Sequence, residues 1–183
     1  MGVDDEYFVS SCTHVNESAG IDASSRRRSA WFKKMYRQGL RIKVATLNGE
    51  RVGFIYVMPI EVCPWGPLGR DLAAFPCLVA HSEVKGQGVG RALVAAAEAE
   101  AQKQQKKGLA TYGYYHDCWF MPAPYFEKLG FVVAARRGDA ATLRRYGRGR
   151  RIFVDGEEIF WGHEAPREGI REAISKSLTR ERK

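Results

Sequence analysis

Residues 85 to 91 read KGQGVGR, with glycines at positions 86, 88 and 90, a lysine in front and an arginine behind. The stretch that follows at once, ALVAAAEAEAQKQQKK, is a strong helix former. Glycines let successive backbone N–H groups converge with no Cβ in the way. The start of a helix adds the positive end of its dipole. Lys85 and Arg91 supply full charges. Together Lys85, Gly86, Gln87, Gly88, Val89, Gly90 and Arg91 make an anion cradle suited to a pyrophosphate. It is not the dinucleotide fingerprint G-x-G-x-x-G, because Arg91 stands where the third glycine belongs, and no Gly-Lys-Ser/Thr follows as a P-loop requires.

Other residues could move protons. Glu61, Asp71, His81, Tyr114, His116 and Asp117 are candidate bases, and Tyr125 is a candidate acid. Each also reads as a solvated loop or packing residue. Cys12, Cys63, Cys77 and Cys118 form no C-x-x-C pair. Their spacing, with His81 and His116, matches no common zinc site, so no metal is expected. Cys77 and Cys118 could act as nucleophiles, although buried thiols are commoner.

These groups must be positioned by a chain of 183 residues, enough for one domain with its own core and a small appendage. The apolar fraction of 45% and charged fraction of 27% are those of a soluble globular protein. No apolar run approaches the roughly 20 residues of a membrane helix. The N-terminus MGVDDEYF has no apolar core of a secretory signal. A cytoplasmic protein without a membrane partner is expected. The net charge is +8, and residues 136 to 151 hold seven arginines against one aspartate. Such a run attracts polyanions. No nucleic-acid motif accompanies it, so a nucleic-acid partner is not the expectation.

The elements read as follows. Residues 6 to 15, EYFVSSCTHV, are β-branched and aromatic enough for a first strand. A helix runs from Asp22 to Gln38, stopped by Gly39. RIKVATLNGERVGFIYVMP is a hairpin about Asn48-Gly49, with Pro59 closing its second strand. Residues 61 to 70 form a loop. A strand over 72 to 80 is bulged or bent at Pro76. A helix over 88 to 107 buries a narrow stripe of Val89, Leu93, Ala96, Ala97 and Glu100. Then come a strand, LATYGYY, a short helix over 121 to 129 ended by Gly130, and the strands FVVAAR and ATLRRY. The order β, α, β, β, β, α, β, α, β, β implies an α/β (α+β) domain: a mixed, mostly antiparallel central sheet flanked by helices. Residues 1–146 form that domain. Residues 147–183 form an extension, a β-hairpin turning at Asp155-Gly156 followed by a helix. That helix sets Ile170, Ile174 and Leu178 on one stripe, which needs cover from its own domain or from a second subunit in a homodimer.

With these residues in view, LVAHSEVKGQGVGRALV resembles motif A of the GNAT acyltransferase superfamily, [QR]-x-x-G-x-[GA], with Lys85 at the Arg/Gln position. YFEKLGF, residues 125 to 131, resembles its motif B, which commonly ends in YEKLGF. The resemblance covers roughly residues 6 to 146. It implies acetyl-CoA as the acyl-donor cosubstrate, with its pyrophosphate on the N–H groups of residues 85–91 and its pantetheine arm beside Leu78, Val79 and Ala80. It implies that the strand ending there splays from the strand after the helix. It also implies a backbone N–H near Leu78 for the oxyanion. The family's proton donor is often the tyrosine of motif B. Here Phe126 fills that position and is expected beside the CoA arm, while Tyr125, one residue and about 100° of helix away, is left as the acid. A polar asparagine common seven residues earlier is replaced by Trp119. The segment HDCWFMPAPYFEKLGF resembles a subgroup of unassigned substrate, and the tail resembles a fragment of a thioredoxin-like module that lacks its redox cysteines.

The implied reaction is N-acetyl transfer from acetyl-CoA to a primary amine of a small molecule or a protein, by direct attack in a ternary complex. The alternative is a catalytically silent CoA-binding regulatory or assembly module, favoured by the displaced tyrosine.

Overall fold

A six-stranded sheet organises the chain, in the computed structural model, which describes residues 3–15, 17–64, 66, 69–116, 120–146, 152–154 and 157–159. Two compact units divide it, Met1–Gly147 and Arg148–Lys183. The first contains helices α1 (Val3–Ser10) and α2 (Ala19–Tyr36), and strands β1 (Arg41–Leu47), β2 (Glu50–Pro59) and β3 (Ala73–Ala80). Helix α3 (Val89–Lys103), β4 (Gly108–Tyr114), α4 (Ala123–Lys128), β5 (Val132–Arg137) and β6 (Ala140–Tyr146) follow. The second unit contains the hairpin β7 (Ile152–Val154) and β8 (Glu157–Ile159). The expected C-terminal helix lies outside the described residues. The sheet order is β1-β2-β3-β4-β6-β5, antiparallel throughout except for the β3–β4 pair.

The expected first strand over residues 6 to 15 is instead α1 and the turn after it. Burial settles the matter. Phe8 and Val9 pack with Phe32, Met35 and Phe54, and the Ser10 and Ser25 hydroxyls share a buried hydrogen bond. Three successive acidic residues, Asp4 to Glu6, also suit a first helical turn. Tertiary contacts thus override a local β preference.

Elsewhere local rules hold. Ser18 caps α2 by accepting from the Ile21 N–H. Asn48 and Gly49, at φ 51° and 86°, make the two-residue turn between β1 and β2. Helix α3 ends at Lys103, four residues earlier than its composition suggests, because Gln105 turns left-handed at φ 56°. It buries Leu93, Val94, Ala97, Glu100 and Ala101. Val89 and Ala96 are only half-buried.

The sheet is covered on both faces. Helices α3 and α4 close a core of Ile55, Val57, Phe75, Leu93, Phe126 and Leu143. Helices α1 and α2 close a second core with Phe54, Tyr56, Met58 and Cys77. A bulge in β3 links the two. Tyr56 pairs Cys77 and Met58 pairs Ala74, so Val57 faces two residues, Phe75 and Pro76. The extra residue reverses the alternation: Phe75 points to the α3 side, whereas Cys77 points to the α2 side.

Candidate functional site

Strands β3 and β4 are hydrogen-bonded neighbours only where they begin, at Ala73↔Leu109 and Ala74↔Ala110. The Thr111 hydroxyl then donates to the Phe75 carbonyl at 2.8 Å, and beyond it no ladder joins the two strands. The result is a slot opening toward Leu78–Ala80 on one side and Tyr112–Tyr114 on the other. The donors facing it follow from the β2–β3 register. His81 N–H donates to the Val52 carbonyl at 2.8 Å, so His81, Val79 and Cys77 form the hydrogen-bonded pairs with β2. The N–H groups of Leu78 and Ala80 therefore point away from β2, into the slot.

The glycine run lies directly after β3, separated from it by a single 3₁₀ turn over Ser82–Val84. Gly86 and Gly88 both hold φ 83°, a conformation side chains disfavour, and a Cβ on either would meet nothing within 4 Å. Backbone shape, not crowding, demands these two glycines. Two of the seven expected donors are already engaged: Lys85 N–H bonds to Ser82 and Gln87 N–H to Val84. Gly88 is the N-cap of α3, so it and the next three residues have no helical carbonyl to bond. The cradle thus narrows to Gly86, Gly88, Val89, Gly90 and Arg91, with the exposed side chains of Lys85 and Arg91 beside it.

Gly90 has a different reason to be glycine. A Cβ there would overlap the hydroxyl oxygen of Tyr125 and lie 3.3 Å from its Cζ. Tyr125 from α4 therefore sets its hydroxyl over the first turn of α3, on the cradle. Burial raises its phenol above the ordinary range, opposed by the Arg91 charge, so the hydroxyl is protonated at neutral pH. Phe126 does not reach this space. It is fully buried and edge-on to Phe75 and Phe131, a core residue with no face for a ligand. The one-residue shift of motif B exchanges the roles: the tyrosine that looked misplaced faces the cradle, and the residue at the expected position fills the core.

On the opposite, α2 side of the sheet the slot meets a cavity of 370 Å³. Its walls are Pro76 and Cys77 of β3, Tyr112 and Tyr114 of β4, and Tyr56 of β2. Arg28 and Trp31 of α2 close it, with Cys12 from the α1–α2 turn and Phe120 and Met121 after β4. Burial pushes the Cys77 thiol up to about 12, with Cys12 adding to the rise, so it is no thiolate nucleophile at neutral pH. The Tyr56 phenol is likewise raised by burial and by Cys77.

The candidate bases fall elsewhere. Glu61 and Asp71 sit at the paired end of β3, away from the slot, held by Lys106 and Lys107. Burial would raise the Glu61 carboxyl, but N–H donors from its own backbone and from Asp71, together with Lys106, hold it below the usual range. His81 lies edge-on to Phe8. His116 is exposed and stacks on Tyr114. Asp117, Cys118 and Trp119 lie outside the described residues. No group of three or more metal-ligating side chains occurs among the described residues.

The cavity-lining residues of α2 had a signal in the sequence. Ser25, Phe32 and Met35 are the buried residues of that helix. Arg28 falls on the same 3.6-residue stripe, unlike Arg26 and Arg27 beside it. A charged residue on a buried stripe marks a polar site.

A family model described as "Acetyltransferase (GNAT) domain" matches residues 38–133. The chain belongs to the GNAT acetyltransferase family. Solved structures agree on the fold. A putative acetyltransferase, yncA, from Salmonella typhimurium, solved with its cofactor acetyl-CoA, superposes with TM-score 0.58 at 19% identity over 82% of this chain and 93% of that one. A putative GNAT acetyltransferase from Desulfovibrio desulfuricans gives 0.56 at 15% identity over 79% and 92%. The PaiA N-acetyltransferase of Thermoplasma acidophilum, in complex with coenzyme A, gives 0.52 at 15% identity over 78% and 87%. No curated protein matches this sequence. The comparisons lend no support to a thioredoxin-like tail. Among the described residues no helix of this GNAT protein is long and apolar enough to cross a membrane.

Proposed function

We propose that this GNAT protein transfers an acetyl group from acetyl-CoA to a primary amine by direct attack in a ternary complex. The observation that supports it most is the slot: it leads from five cradle N–H groups, past the N–H groups of Leu78 and Ala80, to a cavity on the far side of the sheet. The two substrates can therefore enter from opposite faces. The cradle fits a pyrophosphate, because its donors have no carbonyl to bond, Gly86 and Gly88 hold φ 83°, and two cations flank it. Leu78, Val79 and Ala80 would line the pantetheine arm.

The chemistry needs a neutral amine, a stabilised oxyanion and a protonated leaving thiolate. The amine nitrogen would add to the carbonyl carbon, and the C–S bond would break as the tetrahedral oxyanion collapses. The Leu78 N–H would donate to the oxyanion while it lasts. The Tyr125 hydroxyl, on the donor side of the sheet, would give its proton to the departing sulfur and regain one from water. Among the described residues no carboxylate or histidine lines the cavity, so the amine proton leaves through solvent. The silent-module reading rested on the displaced tyrosine, and it predicts CoA binding with no amine-dependent release of thiol.

Two measurements test the proposal. Saturating acetyl-CoA should raise the melting temperature, and release of free CoA thiol should depend on an added amine. Stabilisation at a hundred times Kd is about 2.7 kcal/mol. Absence of any thermal shift would sink the cosubstrate. A shift without turnover on any primary amine would leave only the silent module.

A further inference from the structure

We infer that the acceptor is a small amine that also bears a carboxylate, anchored by Arg28 in the cavity beneath the β3–β4 slot. The inference rests on the acetyl-transfer reading and deepens it. Arg28 is the only Arg, Lys, His, Asp or Glu among the described residues of the lining. It is half-buried on α2, and among the described residues no carboxylate pairs with it. A guanidinium held out of bulk water without an anion is costly, and a ligand carboxylate relieves that cost.

The side chain is also pre-positioned. Its Nη1 donates to the Ser10 carbonyl at 2.9 Å and to the Cys12 sulfur. Those acceptors are presented by the turn after α1, where Cys12 and Thr13 hold φ 54° and 71°. Nε and Nη2 donate to no described residue. A guanidinium fixed at one corner keeps a planar fork for the two oxygens of a carboxylate.

The remaining walls define the rest of the molecule. Trp31, Tyr112, Tyr114 and Phe120 present rings, and Pro76 and Met121 add apolar surface. A volume of 370 Å³ suits one small ligand. An apolar body, one amine turned toward the slot and one carboxylate turned toward α2 describe an amino acid with an aromatic or large aliphatic side chain. Amines with several ammonium groups would meet Arg28 with like charge. A lysine side chain in a folded protein would bring no carboxylate to it.

The test compares L-phenylalanine with its amide and with 2-phenylethylamine, on wild type, Arg28→Gln and Arg28→Lys, following CoA thiol release and calorimetric binding to the CoA-loaded protein. A charge-assisted anchor predicts kcat/KM roughly 10- to 100-fold higher for the amino acid than for either analogue lacking the carboxylate. Arg28→Gln should abolish that preference through KM, and Arg28→Lys should retain part of it. A CoA-induced thermal shift in each variant shows that the fold and the donor site survive. If that shift is lost, calorimetry on wild type with the same three ligands decides alone. Equal or better use of the amines lacking a carboxylate, an unchanged preference in Arg28→Gln, or failure of phenylalanine, tryptophan and leucine to bind overturns the inference. Failure of acetyl transfer itself reads differently: the amino acid binds, but no thiol is released with any amine.

Discussion

The hydroxyl of Tyr125 occupies the volume that a side chain on Gly90 would need. One residue is therefore glycine so that the other can lie across the start of α3. Gly90→Ala should displace the tyrosine at little cost to the fold, since the obstacle is the far end of a flexible side chain and alanine favours a helix by up to about 1 kcal/mol. Its kcat should fall about as far as that of Tyr125→Phe, and the double variant should be no worse than either. Additive losses in that cycle would separate the two residues.

The same tyrosine sets a pH dependence. Burial holds its phenol above the ordinary value, so the hydroxyl stays protonated through neutral pH and loses its proton only as pH rises through the raised value. The alkaline fall in kcat should begin above about pH 10. In Tyr125→Phe the rate should be lower and that fall absent. An unchanged alkaline limb in the variant would assign the proton to another group.

Gly88 tests the cradle without touching the core. At φ 83° an alanine is strained by about 1–2 kcal/mol. In a chain of this size each kcal/mol lowers the melting temperature by about 2–4 °C. A new Cβ meets no protein atom there. Any loss of CoA affinity in Gly88→Ala therefore reports a ligand lying against the loop. We expect at least a tenfold rise in Kd, measured by calorimetry on the folded variant. An unchanged Kd would remove Gly88 from the cradle.

Cys77 should stay chemically silent. With its thiol pushed up to about 12, alkylation by iodoacetamide should be slow at pH 8 and climb about tenfold per pH unit toward that value. Incubation with acetyl-CoA alone should leave the intact mass unchanged. An added acetyl group on a peptide containing Cys77 would replace direct attack with a covalent route.

Glu100, buried on α3, bonds Lys43 of β1 at 2.5 Å. Burial alone would raise its carboxyl, yet the Lys43 and Gln104 hydrogen bonds hold it below the usual range. A lowered folded-state value gives stability that is present above about pH 4.3 and is lost as pH falls through the folded value. Glu100→Gln should therefore melt several degrees lower than wild type at pH 7, and the gap should close near pH 3. A gap that persists in acid would mean packing, not charge, holds that pair of elements.

Local rules explain what the sequence made legible. The Asn48-Gly49 turn, the bulge at Pro76, the buried Glu100 stripe and the glycine cradle each depend on a few adjacent residues. What depends on distant partners was not legible. Residues 6 to 10 are helical because Phe8 and Ser10 meet Phe54 and Ser25. Phe126 is a core residue because Phe75 and Phe131 surround it. The cavity draws Cys12, Arg28, Tyr56, Cys77 and Tyr114 from five separate segments, and no spacing in the chain announces such a meeting.

The central sheet is two three-stranded leaves, β1–β2–β3 and β4–β6–β5, stitched at one end by two rungs and the Thr111 hydroxyl. Its middle is a seam left partly unsewn. Amide exchange at Leu78 and Ala80 should be fast for central strand positions, and a molecule lying in the gap should slow it more than at any other strand. Such a molecule would do for the two leaves what a seventh strand does, so under the proposed function the sheet would gain its last rungs only while it holds its substrate.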